Sequence, residues 1–309
     1  MNARIDWRLI ALAVILIALA PLVPSWLLAL GAGALAKGLV ALGLLLLLRA
    51  GLVPFGQALF YCLGAYVAGL GVVQLGLKEA TLLVPLAGVV SGLVAFAIGF
   101  LIRRYRGIFF AMLSMAFSMI LYGVLLKSQS LGSSDGFSIA RPTLLGMPLA
   151  GTDAVRALFA LTVVCTCVFA WLVGRYLQTT MGNIGPAIRQ NEVRVNYLGC
   201  EPNRLIHAEY TAAGSLAGMA GALTALFVGQ VDPGMGFWMM SGEFVFIAIL
   251  AGTGGIWASL GAAAILEGVH AVAFDIAPMY WRLVLGGTLL LLILRLPAGL
   301  SSLRARRTA

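Results

Sequence analysis

Long apolar runs, interrupted only briefly by charged or turn residues, dominate the chain. They fall at about 9–30, 32–49, 54–76, 81–102, 107–127, 153–173, 208–230, 243–256, 258–276 and 281–297. Most are close to the roughly 20 residues an α-helix needs to cross the hydrocarbon of a bilayer. The pattern predicts an all-α fold: one polytopic transmembrane helix bundle over residues 1–309, with about ten spans. The first run, Leu9–Leu30, is 22 residues long. That exceeds the roughly 7–15 apolar residues of a signal-peptide core, so it is expected to stay as a membrane helix. Only Gly31 and Gly33 punctuate the passage from the first run to the second. The run at 243–256 is short, and it forms with 258–276 either one broken helix or two separate ones.

Composition agrees with this reading. The chain is 61% hydrophobic and 10% charged, against about 25% charged in an ordinary soluble domain. That balance excludes disorder, a coiled coil and a disulfide-rich secreted scaffold. The formal charge of +9 would invite nucleic acid in a soluble protein. In this chain it is better explained by basic residues that hold short loops on the cytoplasmic side, and no nucleic-acid partner is expected. With a cytoplasmic N-terminus, ten spans place fourteen basic residues inside, Arg103, Arg104, Arg106, Arg189, Arg194 and Arg204 among them. Five lie outside (Lys78, Lys127, Arg141, Arg156, Arg282), and Lys37 falls within a span. Both termini are therefore expected to be cytoplasmic. Two polar segments interrupt the pattern: Ser128–Thr152, expected outside, and the more basic Gly174–His207, expected inside.

A search for chemistry returns mostly negatives. A phosphate-binding Walker loop needs glycine directly before lysine. The three lysines follow Ala36, Leu77 and Leu126, so the chain has no such loop. Cys62, Cys165, Cys167 and Cys200 lack zinc-ligand spacing. Glu267 and His270 share a helix face, as half of a metal site or a proton-relay step would require, but no second copy exists. The plainer reading, an interhelical hydrogen bond or placement near the outer end of the span, is the favoured one. No catalytic residue, metal ligand or cofactor site is expected.

The glycines carry more information. Gly88–Gly92 and Gly214–Gly218 have the GxxxG spacing that lets helices approach closely in lipid. Ala251-Gly252-Thr253-Gly254-Gly255 breaks a helix near one membrane face and is a candidate hinge or re-entrant corner. In the inside segment a short amphipathic helix is expected over about 184–199, with Pro186 in its first turn. Ala187, Ile188, Val195 and Leu198 would give it apolar contacts, and Gly199 would stop it as the C′ residue. Such a helix would dock in a partner's groove or lie on lipid headgroups.

From about residue 40 to 300 the chain resembles the inner-membrane permeases of bacterial ABC importers for branched-chain amino acids, of the LivM type. FGQALFYCLGAY (55–66) is similar to the family's LGxAAFFGIGAY stretch, and AIRQNEVRVNYLG (187–199) to its AIRENExxAExLG coupling segment. AGMAGAL (217–223), AGTGGIWASLGAAA (251–264) and LPAGL (296–300) follow in the family's order. Pro54 and Pro186 depart from the pattern, as does Cys62, which stands where glycine is usual.

The resemblance implies a permease subunit that hydrolyses no ATP itself. ATP would be bound by two cytosolic ABC ATPase subunits docking on the inside segment. A second, LivH-like permease would complete the pore, and a periplasmic substrate-binding protein would deliver an amino acid, amide or urea. It also implies ATPase coupling through Ala187, Ile188, Arg189, Asn191, Glu192, Leu198 and Gly199, with Arg189 and Glu192 as charged contacts at the dock. Gly56, Gln57, Gly64, Glu243, Gly252, Gly254 and Gly255 become candidates for the pathway or its helix breaks. Two competing classes make different predictions. A proton-coupled secondary transporter using Glu267 and His270 would work alone, and an assembly subunit would have partners but no flux.

Overall fold

The computed structural model describes residues 3–140, 142–144, 147–148, 151–276, 281–295 and 300. The 296–299 part of the LPAGL stretch, the end of the tenth run and the C-terminal arginines lie outside the described residues. Within them the chain is helical: α1 (Ala3–Leu19), α2 (Ser25–Arg49), α3 (Gln57–Val73), α4 (Ala80–Ile102), α5 (Gly107–Lys127), α6 (Gly151–Gln178), α7 (Thr180–Tyr197), α8 (Pro202–Val228), α9 (Trp238–Ala251), α10 (Ile256–Ile276) and α11 (Trp281–Arg295). Helices α2, α4, α5, α6, α8 and α10 are long and apolar enough to cross a membrane. Trp7–Leu19, α3 and α9 are apolar but shorter.

The first boundary differs from expectation. The break falls at 20–24, where Pro21 and Pro24 interrupt the apolar run, and Pro24 caps α2 in an extended conformation. A proline has no N–H to donate and clashes with the preceding turn, so two of them end a helix that glycine alone only weakens. Gly31 and Gly33 continue as helix inside α2, packed against Phe159 and the Glu267 carboxylate.

Helices α2 and α8 form the centre. From Gly38 to Leu47 every residue of α2 is buried, and it packs against α6, α8, α9 and α10. Helix α8 packs against α2, α3 and α4, and both GxxxG pairs serve this contact. Gly214 lies against Phe60 and Ala95, and Gly218 against Ser91. A β-carbon on Gly64 would come within 1.9 Å of the Gly218 carbonyl oxygen. No side chain fits between the two backbones, and that closeness is what small residues contribute where lipid offers no hydrophobic drive for helices to associate.

Two helices start inside the bundle rather than at its end. The Phe55 N–H donates to Ser114 Oγ at 3.0 Å. Ser114 lies two turns into α5, about 10 Å along its axis. The chain thus re-enters the bundle before α3 begins. Similarly, Ser118 Oγ donates to the Gly236 carbonyl at 2.8 Å, drawing the segment before α9 inward. The two starts meet where the Ala58 N–H donates to Ser241 Oγ at 3.0 Å. Irregular backbone at this depth survives because protein covers it and side chains satisfy its polar groups. At the far end of α8, β1 (Phe137–Ser138) pairs antiparallel with β4 (Gln230–Val231), tying the Ser128–Thr152 segment to the α8–α9 connection. Strands β2 (Thr143–Leu144) and β3 (Met147–Pro148) form a small hairpin within that segment.

Candidate functional site: a clamped lever and a buried charge cluster

Among the described helices α7 is the most polar, and it starts earlier than the expected 184. It begins at Thr180, with Thr179 as N-cap, whose Oγ1 accepts the Gly182 N–H at 3.2 Å. Pro186 therefore sits inside the helix rather than in its first turn. The expected single helix is also kinked. Asn191 adopts φ −160° and ψ 98°, and its Oδ1 accepts the Arg194 N–H at 2.9 Å, so it caps a second short helical segment. Asparagine followed three residues on by a free N–H donor is the local signal that could have revealed this.

The stop at Gly199 agrees with expectation. Gly199 has φ +83°, and it donates to Asn196 O while Cys200 donates to Val195 O, the pairing of a Schellman motif.

The named coupling residues divide between two faces. Ile188 and Val195 are buried against the bundle. Gly185 lies against Arg49 and Ala50, and the alkyl stem of Arg189 lies against Gly51 in the α2–α3 turn. Ala187 points outward. Val193, Tyr197 and Leu198 are 65%, 88% and 77% exposed, an apolar strip on an otherwise polar element.

Glu192 has a partner within the chain. Arg106, between α4 and α5, grips it with two hydrogen bonds, Nε to Oε2 at 3.0 Å and Nη2 to Oε1 at 2.7 Å. The same guanidinium reaches Asn203 Oδ1 in α8 at 2.6 Å and the carbonyls of Arg103 and Tyr105. One arginine thus joins α7 to the α4–α5 turn and to α8. The planar five-donor fork of arginine makes that junction directional, as lysine could not.

The pathway candidates also separate. Gly56 presses on the Ser114 backbone and Gly64 on Gly218, so both are packing contacts. Gln57, 1% exposed at the start of α3, has neither side-chain oxygen nor nitrogen hydrogen-bonded among the described residues. Gly252 and Gly255 take φ +67° and +112° in the turn that contains Gly254, separating α9 from α10 as two helices.

Lys37, which the sequence places within a span and gives no role, is central here. Its Nζ lies 2.7 Å from Glu267 Oε2 on α10 and 3.3 Å from Glu243 Oε2 on α9. The three side chains are only 12–16% exposed. Tyr61 on α3 lies within electrostatic reach of all three. Glu243 is thus engaged in the interior, and Glu267 faces an ammonium group. A lone lysine within an apolar run was the available signal, because an ionised group in lipid needs a partner.

Residues 26–294 match the family described as branched-chain amino acid transport system, permease component. The chain is 29% identical over 272 residues to the high-affinity branched-chain amino acid transport system permease protein LivM of Salmonella typhimurium and, likewise, of Escherichia coli. Those matches cover 81% of this chain, which spans 64% of the length of either relative. BraD of Pseudomonas aeruginosa, also a high-affinity branched-chain amino acid transport permease, is 26% identical over 265 residues, covering 81% of this chain and 86% of its own. No solved structure matches.

Proposed function

This chain belongs to the permease-component family of branched-chain amino acid transport systems, and from that premise we propose that it is the transmembrane permease subunit of an ATP-binding-cassette importer. It takes up branched-chain or related amino acids across the bacterial inner membrane. Two cytosolic ATPase subunits drive it, a second LivH-like permease completes the pore, and a periplasmic binding protein presents the substrate. The ten-span topology with both termini cytoplasmic is part of this reading, and the inside–outside arginine asymmetry supports it. On that topology, the α7 end of the bundle faces the cytosol.

The observation that carries the proposal is the construction of α7. Its outward face presents Val193, Tyr197 and Leu198 to solvent, an apolar strip suited to a cleft on a partner. Its inward face is fixed to three elements: the α2–α3 turn through Gly51 and Arg189, the α4–α5 turn through Arg106, and α8 through Asn203. Closure of the ATPase pair would press on α7. The clamp would carry that displacement into α8, and from α8 into the α3 and α4 backbones packed against it. Helix starts and glycine turns buried in protein are where such a bundle can rearrange without exposing backbone to lipid. Gln57 lies at such a buried start, and the glycine turn between α9 and α10, where Thr253 and Gly254 are exposed, offers a hinge; both are the proposed pathway elements.

The test is reconstitution. Vesicles holding this chain, the second permease, the ATPases and the binding protein should accumulate leucine only with ATP. Accumulation by this chain alone, driven by a proton gradient, would instead establish a secondary transporter.

A further inference from the structure

Between α2, α6 and α8 lies a cavity of about 280 Å³. Leu46, Phe169, Val173, Leu216 and Met219 give it apolar walls, and one carboxylate, Glu209, lines it. Glu209 is 3% exposed. Its Oε1 accepts a hydrogen bond from the Tyr176 hydroxyl at 3.0 Å, but its buried Oε2 has no hydrogen-bond partner among the described residues. An acceptor left so in a low-dielectric setting is costly unless something completes it. No part of the proposed transport mechanism uses Glu209.

The cavity is polarised along the helix. Glu209 lies in the second turn of α8 and Met219 ten residues further on, about 15 Å away along the axis. The polar end lies towards α7, and Tyr176 and Ala208 also line an adjoining cavity of about 480 Å³ that contains Arg204. Arg49, at the end of α2, acts electrostatically on both Glu209 and Tyr176. The exposed Ala208, Ala212 and Leu172 leave the cavity open on the side of the bundle. Its occupant must therefore be long and apolar towards the membrane centre. At the cytoplasmic level it can carry a hydrogen-bonding cation for the open Glu209 oxygen, next to an anionic group facing Arg49; Arg204 at that rim is already paired with Glu201. A free amino acid is too short for this track.

We propose that this cavity is a binding site for a phospholipid of the cytoplasmic leaflet bearing a primary ammonium headgroup, with the ammonium on Glu209 and an acyl chain along α8. The inference rests on the membrane topology of the proposed reading, which sets the leaflet, and not on its transport activity.

The full chain, purified and exchanged into mixtures of dioleoyl phosphatidylethanolamine and phosphatidylglycerol, is examined by native mass spectrometry. Wild type should retain the ethanolamine lipid at least about tenfold better, the scale of one charge-assisted hydrogen bond. Glu209→Gln, which keeps size and a bond to Tyr176, should lose that preference. Ala212→Phe, which fills the open rim without touching the carboxylate, should lose retention of both lipids and provides the test if the Gln variant folds poorly. Equal lipid ratios in wild type and Glu209→Gln overturn the proposal. So does displacement of the lipid by millimolar leucine, which would make the cavity a substrate site, or loss of all lipid when the second permease binds. Because no ATPase is present, these outcomes are independent of whether the chain transports.

Discussion

Replacing Lys37 with methionine removes the cation that Glu243 and Glu267 share and keeps the side-chain length. In the wild type, one ammonium stands 2.7 Å and 3.3 Å from two carboxylates whose side chains are 16% and 12% exposed. Without it, two anions remain in an apolar interior. Deleting one partner of a buried ion pair costs about 3–5 kcal/mol, chiefly as the penalty on the group left behind. The two carboxylates left behind also repel each other, so the low end of that range is a minimum. Scaled as for soluble proteins of this size, the cost corresponds to a fall of roughly 5–10 °C in the unfolding midpoint of the detergent-solubilised chain. The physics also predicts its own rescue. Lys37→Met combined with Glu243→Gln and Glu267→Gln leaves no charge and should recover most of the loss. Glu243→Gln alone leaves one cation with its closer anion and should be near neutral. Fluorescence-detected thermal melts of the wild type and these three variants decide the matter. A Lys37→Met midpoint equal to wild type, or a triple variant no better than the single, would refute the placement of these charges in a dry interior.

Arg106→Ala and Glu192→Ala should each leave insertion intact but reduce uptake per ATP hydrolysed. In a double-mutant cycle their coupling energy should be about 1 kcal/mol, limited by the partial exposure of the pair, and the charge swap Arg106→Glu with Glu192→Arg should restore part of the loss. Asn191→Ala removes the cap of the second α7 segment and should cost about 0.5–2 kcal/mol locally, read as faster hydrogen exchange at Arg194–Tyr197. Gly199→Val forces a β-branched side chain to φ +83° and should likewise loosen the end of α7 by about 1 kcal/mol or more, measured by the same exchange. Gly64→Val drives a side chain into the Gly218 carbonyl and should abolish the folded bundle, seen as loss of a monodisperse peak in size-exclusion chromatography.

What the sequence disclosed depended on how local each signal was. The helical stop at Gly199 needs only its neighbours, and it could be read. The two GxxxG pairs also declare themselves by spacing, although only packing reveals that Gly218 meets Ser91 and Gly64. The first boundary was misread because glycine was given the punctuating role that Pro21 and Pro24 hold. Pro186 misled in the opposite way: proline is common in a first turn, but Thr179 already caps the helix upstream. The charge cluster was illegible because Lys37 and Glu243 stand 206 positions apart. Glu192 looked free for the same reason, since Arg106 lies 86 residues away. Charged residues advertise that they need partners, but sequence does not say which ones.

Helix α7 is proposed as the place where an ATPase pushes. A photo-crosslinking residue at Tyr197, which is 88% exposed, introduced into the assembled importer in native membranes, tests this directly. The expected result is a crosslink to the ATPase subunit whose yield changes between nucleotide-free and ATP-bound states. A crosslink to the periplasmic binding protein, or only to lipid in both states, would contradict it.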